Sequence, residues 1–289
     1  IVRRRRPAVV LSLGGYASVP CAVAALIWRV PVVVAEQNAV PGAANRLVSR
    51  WARACAVSFA GTELPKAEFT GNPVRHEVLA VDRSDSAARD AARRRLGVGE
   101  GRRFILAFGG SLGALRINRA VADAATALED RADLAVRHVI GRRDWDEFSE
   151  LRNRAFAGLE YTAVEYEHDM PSALLAADLV ICRSGASSVA ELAAAGVPAV
   201  LVPLPGAPGD HQTANARALV DAGAARMIVD ADMAGPRLVR EIEELDATQL
   251  AAMGAAAART ARRDAASSVG ALLVRHAARP PLTANEGSS

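Results

Sequence analysis

Short apolar runs alternate with longer, alanine-rich amphipathic segments along nearly the whole chain. Runs of strand length between segments of helix length are typical of parallel sheets covered by helices on both faces. The pattern therefore predicts an α/β fold on parallel sheets. The predicted strands are Ala8–Leu13, Pro31–Ala35, Ala54–Phe59, Phe104–Phe108, Ala135–Ile140, Tyr161–Val164, Leu179–Cys182, Ala199–Val202 and Ala225–Ile228.

A turn-rich stretch, Thr70–Arg75, divides this series in two, and a polar helix is predicted after it over Ser84–Leu96. The part before the turn offers only about two βα units, fewer than a doubly wound domain has, so we expect an incomplete first domain. The predicted organisation is a remnant domain over 1–75, a second domain over 76–263, a helix over 264–279 that returns to the first domain, and a disordered tail over 280–289.

The chain has 289 residues and begins with Ile instead of Met, so we expect a preceding segment to be missing. No run reaches the roughly 18 apolar residues that span a bilayer, and the start does not resemble a cleavable signal. Three scattered cysteines form no metal-ligand spacing and leave an odd number, which fits reduced thiols. These features predict a cytoplasmic protein.

Basic residues are concentrated at the start of the chain. Residues 1–75 hold ten Arg or Lys against three acidic residues, a surplus of seven, whereas the whole chain carries +3 and the remainder therefore −4. One interpretation is attraction to an anionic membrane surface, where each basic residue adds about 1 kcal/mol. The other is a solvated, arginine-rich face with no binding role. Both stay open at this point.

Two loops are suited to an anion or a ribose. Gly109–Ala114 follows a strand and opens a helix, and Arg183–Ala186 does the same further along. Main-chain N–H groups at a helix start are unpaired and carry partial positive charge. Neither loop is a Walker motif or has GxGxxG spacing, but two such loops in one domain can converge on one nucleotide. Glu191, one turn into the second helix, could accept both hydroxyls of a ribose.

Two further segments carry polar side chains that could bind a sugar. Glu36-Gln-Asn38 ends a predicted strand, and Asp210–Ala216 opens a helix on which Gln212 and Asn215 share a face at i, i+3 spacing. Capping of the following helix is the alternative for each segment.

Asp230-Ala-Asp232 matches the DxD pattern of metal-dependent sugar transferases, but it lies in turn-like sequence after a strand. No Ser-His-Asp arrangement or clustered His/Cys set is present. We therefore expect neither a metal nor a cofactor.

Six ordered motifs together resemble the MurG family, the bacterial N-acetylglucosaminyltransferases that convert lipid I to lipid II. They are Gly14-Gly-Tyr-Ala-Ser-Val-Pro, Glu36-Gln-Asn-Ala-Val-Pro-Gly, Thr70-Gly-Asn-Pro-Val-Arg, Gly109-Gly-Ser-Leu-Gly-Ala, Cys182-Arg-Ser-Gly-Ala and Pro208-Gly-Asp-His-Gln-Thr-Ala-Asn-Ala. The match extends over nearly the whole chain. The resemblance implies a GT-B fold, in which two Rossmann-like domains face each other, and UDP-N-acetylglucosamine as donor.

The resemblance also implies roles for individual residues, all in donor binding. Ser111 is implied to contact the diphosphate, with Arg75 close by. Glu191 is implied to bind the ribose. Helix-start contacts come from Ala186, Ser187 and Ser188, and the sugar is reached by Asn38, His211, Gln212 and Asn215. Uracil maps to Tyr166–Glu167, where the family commonly has an apolar residue in place of Glu167, so that only a main-chain contact is implied there.

The family's N-terminal glycine-rich loop, which ends in a catalytic His, has no match here, so no catalytic residue is assigned. The implied acceptor is the undecaprenyl-diphosphate-linked muramyl pentapeptide at the inner face of the cytoplasmic membrane, with no nucleic-acid partner. Two alternatives stay open: another lipid-directed GT-B transferase, or a sugar-nucleotide-binding module that is inactive without the missing part.

Overall fold

The computed structural model describes residues 2–110 and 113–278. These residues form two compact units: one comprises 2–73, 206–214 and 262–278, and the other 74–205 and 215–261, with the gap at 111–112. The domain limits expected from the sequence stay a prediction. The predicted tail over 280–289 lies outside the described residues.

All strand pairs in the two sheets are parallel. The first sheet has the order β1-β2-β3-β4, and its strands are β1 Val10–Ser12, β2 Val32–Glu36, β3 Ala54–Val57 and β4 Ala67–Phe69. The second sheet has the order β10-β9-β8-β5-β6-β7, and its strands are β5 Arg103–Phe108, β6 Leu134–Val139, β7 Glu160–Val164, β8 Leu179–Cys182, β9 Ala199–Leu201 and β10 Ala225–Met227.

The α-helices follow the amphipathic segments of the sequence. They are α1 Val2–Arg5, α2 Val19–Ile27, α3 Ala43–Ser49, α4 His76–Leu79, α5 Ser86–Arg95, α6 Leu115–Ala127, α7 Ser149–Arg152, α8 Met170–Ala176, α9 Ala186–Ala195, α10 His211–Val220, α11 Gly235–Glu244, α12 Ala247–Thr260 and α13 Ala265–His276. Short 3-10 turns lie at Tyr16–Ser18, Trp145–Phe148, Pro208–Asp210 and Asp230–Asp232.

The first sheet is covered on both faces because successive residues of a strand point to opposite sides. Val32 and Val34 pack with α2 and α3, whereas Val33 packs with Val269 and Leu272 of α13. A strand covered in this way has to be apolar at every position, which is why β2 appears in the sequence as an uninterrupted valine run.

Each predicted strand is present to within two residues at either end, but β4 was not predicted. It has three residues, and Ala67 and Phe69 are exposed. An exposed edge strand lacks the buried apolar run by which the other strands were recognised.

The core of the second unit contains apolar side chains from strands and helices together. Ile105 of β5 and Ile181 of β8 belong to the same buried cluster as Ile117 of α6 and Ile242 of α11. These interior contacts hold the helices against the sheet. Within residues 2–110 and 113–278, no helix combines the length and the apolar content that crossing a bilayer requires.

Candidate nucleotide-binding site

The strand order of the second sheet identifies its ligand-binding edge. Connections run outward from β5 in one direction through β6 and β7, and from β8 in the other direction through β9 and β10. Ligands of such sheets bind outside the carboxyl ends of the strands at this switch point. Phe108 and Cys182, the last residues of β5 and β8, are paired in register, so the loops Gly109–Ala114 and Arg183–Ala186 begin side by side.

The glycine-rich loop after β5 requires glycine for packing and for backbone conformation. A Cβ atom at Gly109 would clash with the main-chain nitrogen of Ala114, and one at Gly113 with the carbonyl of Ile140. Gly113 also has a φ of 84°, which side chains other than glycine rarely adopt. Ser111, predicted to contact the diphosphate, lies outside the described residues, so its role stays a prediction.

A buried polar network supports this loop from the side of α6. The Asn118 Nδ2 donates to the Ile140 carbonyl at 2.9 Å and to Asp144 Oδ2 at 3.0 Å, while Asn118 Oδ1 lies 3.0 Å from His138 Nε2. His138 Nδ1 lies 2.7 Å from the Tyr161 hydroxyl. Because Asn118 Oδ1 only accepts, Nε2 carries the proton and the Tyr161 hydroxyl donates to Nδ1.

Burial lowers the pKa of His138 to about 3, so this imidazole is neutral at physiological pH and belongs to the scaffold instead of to an acid–base pair. Sequence patterns did not identify this network. Its four polar residues, Asn118, His138, Asp144 and Tyr161, are separated along the chain and follow no motif spacing.

Helix α9 begins without a side-chain cap, with Gly185 in extended conformation at the N-cap. The first helical hydrogen bond runs from Val189 N to Gly185 O at 3.0 Å, and the N–H groups of Ala186, Ser187 and Ser188 precede it. Unpaired N–H groups at a helix start form an anion-binding site. The three predicted helix-start residues therefore share one donor surface.

Asn215 lies behind this turn. Its side chain is fully buried, and Nδ2 donates to the Ser184 carbonyl at 3.2 Å. The contact stabilises the turn, and the predicted sugar contact of Asn215 stays a prediction.

Glu191 and Arg75 form an ion pair at this edge. Arg75 Nε lies 3.0 Å from Glu191 Oε1, and the arginine side chain is 58% exposed. Glu191 also lies near Cys182, where burial raises the thiol pKa and the carboxylate adds to that effect. The cysteine is therefore a protonated, buried side chain.

The DxD segment after β10 forms ion pairs with two arginines. Asp230 lies 2.6 Å from Arg183 Nη1 and 3.0 Å from Arg116 Nε. Arg183 also donates to the carbonyls of Val202 and Pro203. Among the described residues, no three His, Cys, Asp or Glu side chains form a group that could hold a metal ion.

Glu167, beyond the end of β7, turns its side chain into the protein. Its Oε2 lies 2.5 Å from Arg137 Nε, and its Oε1 accepts a hydrogen bond from the Asp169 N–H at 2.9 Å. The neighbouring Tyr166 ring is exposed and packs edge-on against His168.

In the first unit, Glu36 organises the turn that follows β2. Its carboxylate accepts hydrogen bonds from the main-chain N–H of Asn38 at 2.9 Å, from that of Gly42 at 3.0 Å and from the Asn45 side chain at 2.8 Å. Asn38 itself is partly exposed. No sequence motif predicted this role of Asn45, which lies within α3, nine residues after Glu36.

The predicted sugar ligands His211 and Gln212 lie at the start of α10, and both are partly exposed. His211 Nδ1 lies 3.0 Å from the Pro208 carbonyl, which can only accept, so Nδ1 carries a proton and neutral His211 keeps an acceptor at Nε2. Gly209 lies close to Val40, so this segment and the turn that Glu36 organises are neighbours within the first unit.

Family models match both parts of the chain. The glycosyltransferase family 28 C-terminal domain matches residues 104–269, and the N-terminal domain of the same family matches residues 1–57. The match to the C-terminal domain alone covers more than half of the chain, and it includes the loop after β5 and the start of α9.

Individual relatives agree with the family models. The UDP-N-acetylglucosamine–N-acetylmuramyl-(pentapeptide) pyrophosphoryl-undecaprenol N-acetylglucosamine transferase of a Nocardioides species is 44% identical over 267 residues, which are 92% of this chain and 72% of the relative. The transferase of that name from Alkalilimnicola ehrlichii is 42% identical over 281 residues, 96% of this chain and 76% of the relative.

A solved structure agrees as well. The crystal structure of Acinetobacter baumannii MurG superposes with a TM-score of 0.81 at 33% identity, covering 95% of this chain and 75% of that one. The predicted α/β GT-B fold and the resemblance to MurG are thereby confirmed. The chain belongs to glycosyltransferase family 28 and, within it, to the MurG family of N-acetylglucosamine transferases.

Proposed function

We propose that this chain transfers N-acetylglucosamine from UDP-N-acetylglucosamine to the 4-hydroxyl of the muramyl sugar of lipid I, forming lipid II of peptidoglycan with inversion at the anomeric carbon. The single observation that carries the proposal is the uncapped start of α9, one turn before Glu191, at the switch point of the second sheet. The N–H groups of such a helix start bind an anion, and a carboxylate one turn further on can bind the two hydroxyls of a ribose.

In this proposal the donor nucleotide binds along the edge of the second sheet. The N–H groups of Ala186, Ser187 and Ser188 and the loop containing Ser111 hold the diphosphate. Glu191 accepts hydrogen bonds from the ribose hydroxyls, and donor binding exchanges its ion pair with Arg75 for these bonds. The main chain at Glu167 binds uracil.

The donor sugar is assigned to four polar side chains, and support for each differs. Asn38 and Gln212 carry amide groups, which can both donate and accept, and Asn38 Nδ2 also lies 3.4 Å from Glu36 Oε1. His211 has an acceptor at Nε2. Asn215 has the least support of the four, because its side chain is fully buried and its Nδ2 donates to the Ser184 carbonyl.

The reaction is a displacement whose transition state leaves negative charge on the departing diphosphate. Helix-start N–H groups and Arg75 would stabilise that charge, and one such donor is worth about 3 kcal/mol. Removal of the acceptor proton requires a base, and no described residue is assigned to that step.

Substitution of Arg75 tests this assignment. We expect Arg75→Ala to lower turnover of lipid I more than about tenfold, because a charge-directed donor is lost. The matched control is Arg119→Ala, which removes an exposed arginine in an ion pair of 2.8 Å with Glu147 and should keep turnover. Near-wild-type turnover of Arg75→Ala would overturn the role of Arg75.

Calorimetry with UDP-N-acetylglucosamine, run beside the turnover assay, distinguishes the alternatives. Donor binding without turnover of lipid I favours a binding module, and turnover of a different lipid acceptor favours another lipid-directed transferase. Failure to bind the donor overturns the proposal as a whole.

We also propose that the protein works at the inner face of the cytoplasmic membrane. Helix α2 buries Ala22 and Ala25, but Ile27 is 66% and the following Trp28 is 47% exposed, with Arg29 next to them. Exposed apolar side chains beside basic ones are suited to an anionic lipid surface.

Liposome flotation with anionic vesicles tests this surface. We expect Trp28→Glu to reduce the fraction of protein bound to vesicles several-fold. The apolar contact between Trp28 and the lipid is replaced by a negative charge, which the anionic surface repels. Val229→Glu, which alters a similarly exposed apolar residue outside α2, serves as the control. Unchanged binding of Trp28→Glu would contradict the role of α2.

A further inference from the structure

A buried ion pair lies at the end of strand β7, and the roles proposed above make no use of it. Glu167 follows β7 by three residues, and Arg137 lies within β6. The side chains of Glu167 and Arg137 are 4% and 14% exposed, and Oε2 and Nε are 2.5 Å apart. Buried charges are stable only when they are paired and hydrogen-bonded, so this contact strongly constrains both residues.

The Arg137–Glu167 pair fixes the turn at Tyr166–Glu167, which lies beyond the last hydrogen bonds between β6 and β7. Beyond β6 and β7 the main chains remain joined by Ile140 N to Val164 O at 3.0 Å and by Gly141 N to Glu165 O at 3.1 Å. Tyr166 and Glu167 lie past these bonds. Their position is defined by the Glu167 carboxylate, through Arg137 on one side and the Asp169 N–H on the other.

The other end of the turn is fixed by α8. Asp169 caps this helix by accepting a hydrogen bond from Ser172 N at 3.2 Å. Glu167 therefore links the middle of β6 to the start of α8, and the main chain at Tyr166–Glu167 lies on the segment that ends at this link.

The geometry of this main chain matters because two pyrimidines differ only at the edge that it would contact. Uracil presents an acceptor at O4 and a donor at N3, whereas cytosine presents a donor and an acceptor at the corresponding atoms. Hydrogen bonds weaken steeply when their angle is poor. A site that pairs with one pattern rejects the other because its own polar groups are then left unpaired.

We propose that Arg137 and Glu167 are positioning residues that hold the Tyr166–Glu167 main chain in the orientation that selects uracil over cytosine. The inference rests on the proposed function, because it assumes a uridine nucleotide at this edge. Neither side chain contacts the base, and both act through the main chain.

The chain contains a matched control at the opposite end of the same strand. Glu160, the first residue of β7, pairs with Arg102 at 2.9 Å, and the side chains are 26% and 23% exposed. Glu160 also accepts from the Gly99 N–H, so it resembles Glu167 in having both an arginine and a main-chain partner. Its loss affects stability without touching the ligand edge.

The test is calorimetric titration of the chain with UDP and with CDP, accompanied by thermal melting of each variant. We expect Glu167→Ala to lower the ratio of UDP to CDP affinity at least about tenfold. Glu167→Asp keeps the charge but is one methylene too short to reach both partners, so it should lower the ratio as well. Glu167→Gln keeps the shape but has one acceptor oxygen for two donors, so it should lower the ratio less than Glu167→Ala does.

Glu160→Ala should lower the melting temperature while leaving the affinity ratio unchanged. An unchanged ratio in Glu167→Ala overturns the proposal, and if that variant does not fold, Glu167→Asp decides in its place. An equal fall of the ratio in Glu160→Ala overturns it too, because the effect would then be general destabilisation. A wild-type chain without preference for UDP overturns the uridine donor, and the inference falls with it; failure confined to the variants leaves the donor intact.

Discussion

A polar turn follows strand β2 in the first unit and another follows strand β8 in the second, and their hydrogen-bonding groups are used in opposite ways. After β2, the buried Glu36 carboxylate accepts from the N–H groups of Asn38 and Gly42 and from the Asn45 side chain. After β8, Gly185 is the N-cap of helix α9 and supplies no side-chain cap. The first turn is saturated from within, and the second keeps its donors available.

The difference shows how similar βα turns acquire different chemistry. A carboxylate that already accepts from the N–H groups of a turn makes it rigid and repels a second anion, so the turn after β2 is not suited to binding a phosphate. A glycine at the N-cap has no side-chain oxygen that could accept from the first N–H groups, so the partial positive charge at the start of α9 remains for a ligand. Capping is therefore as informative about function as the glycine motif.

The largest effect is expected from removing the Glu36 carboxylate from the turn after β2. Glu36→Ala should lower the free energy of unfolding by about 3 kcal/mol, because the N–H groups of Asn38 and Gly42 and the buried Asn45 side chain lose their acceptor. Urea denaturation measures the loss. Glu36→Gln retains one carbonyl oxygen and should lose about half as much, and a loss below about 1 kcal/mol in Glu36→Ala would show that the turn does not depend on this carboxylate.

A smaller effect is expected from saturating the open turn. Gly185 is extended, and a Cβ atom there would meet nothing within 4 Å, so Asp fits and can cap α9. Gly185→Asp should raise the melting temperature slightly, since Asp is a better cap than Gly, yet weaken UDP binding about thirtyfold, or about 2 kcal/mol, by repelling the diphosphate.

Gly185→Asn is the matched control, because it provides a cap of the same shape without the charge. It should weaken UDP binding much less than Gly185→Asp does in the same calorimetric titration. Equal affinities for wild type and Gly185→Asp would show that the start of α9 binds no anion.

The smallest effect concerns the support beneath the glycine-rich loop of the second unit. Burial lowers the pKa of His138 to about 3, whereas an unfolded histidine titrates near 6.5. Between these values the unfolded chain binds one proton more than the folded one, so stability falls as the pH falls. This residue should cost about 1 kcal/mol of unfolding free energy between pH 7 and pH 5.5.

Urea denaturation at the two pH values checks this expectation. His138→Gln should show a pH dependence smaller by that amount, and His76→Gln, which alters an exposed histidine, should keep the wild-type dependence. The same pH dependence in all three proteins would contradict a buried neutral His138.

Most of the secondary structure could be predicted because buried parallel strands require apolar residues at every position. Strand β4 was not predicted, because its residues are largely exposed and form no apolar run. The loops after β5 and β8 were recognisable since tight turns near a ligand need glycine. Asn118 and Arg137 were not recognisable, because a polar residue within a helix or strand gains a meaning only from partners that lie distant in the chain.

Glu167 and Asp230 illustrate the limit most clearly. As sequence, Glu167 is an acidic residue at a ligand edge and Asp230 part of a metal-binding pattern. In the fold both are bound by arginines, Glu167 by Arg137 and Asp230 by Arg183 and Arg116. The charge of a carboxylate and its spacing in the sequence do not show whether it faces a ligand or a neighbouring side chain.

By itself, the sequence of this protein determined the α/β class, the strand-ending turns and the family resemblance, since these depend on local residue patterns. Only the tertiary structure decided that the loops after β5 and β8 lie side by side, that α9 starts uncapped, and that Glu167 turns inward to Arg137. The physical reason is that hydrogen bonds and ion pairs depend on distance in space, and residues such as Arg137 and Glu167 become neighbours only when the sheet forms.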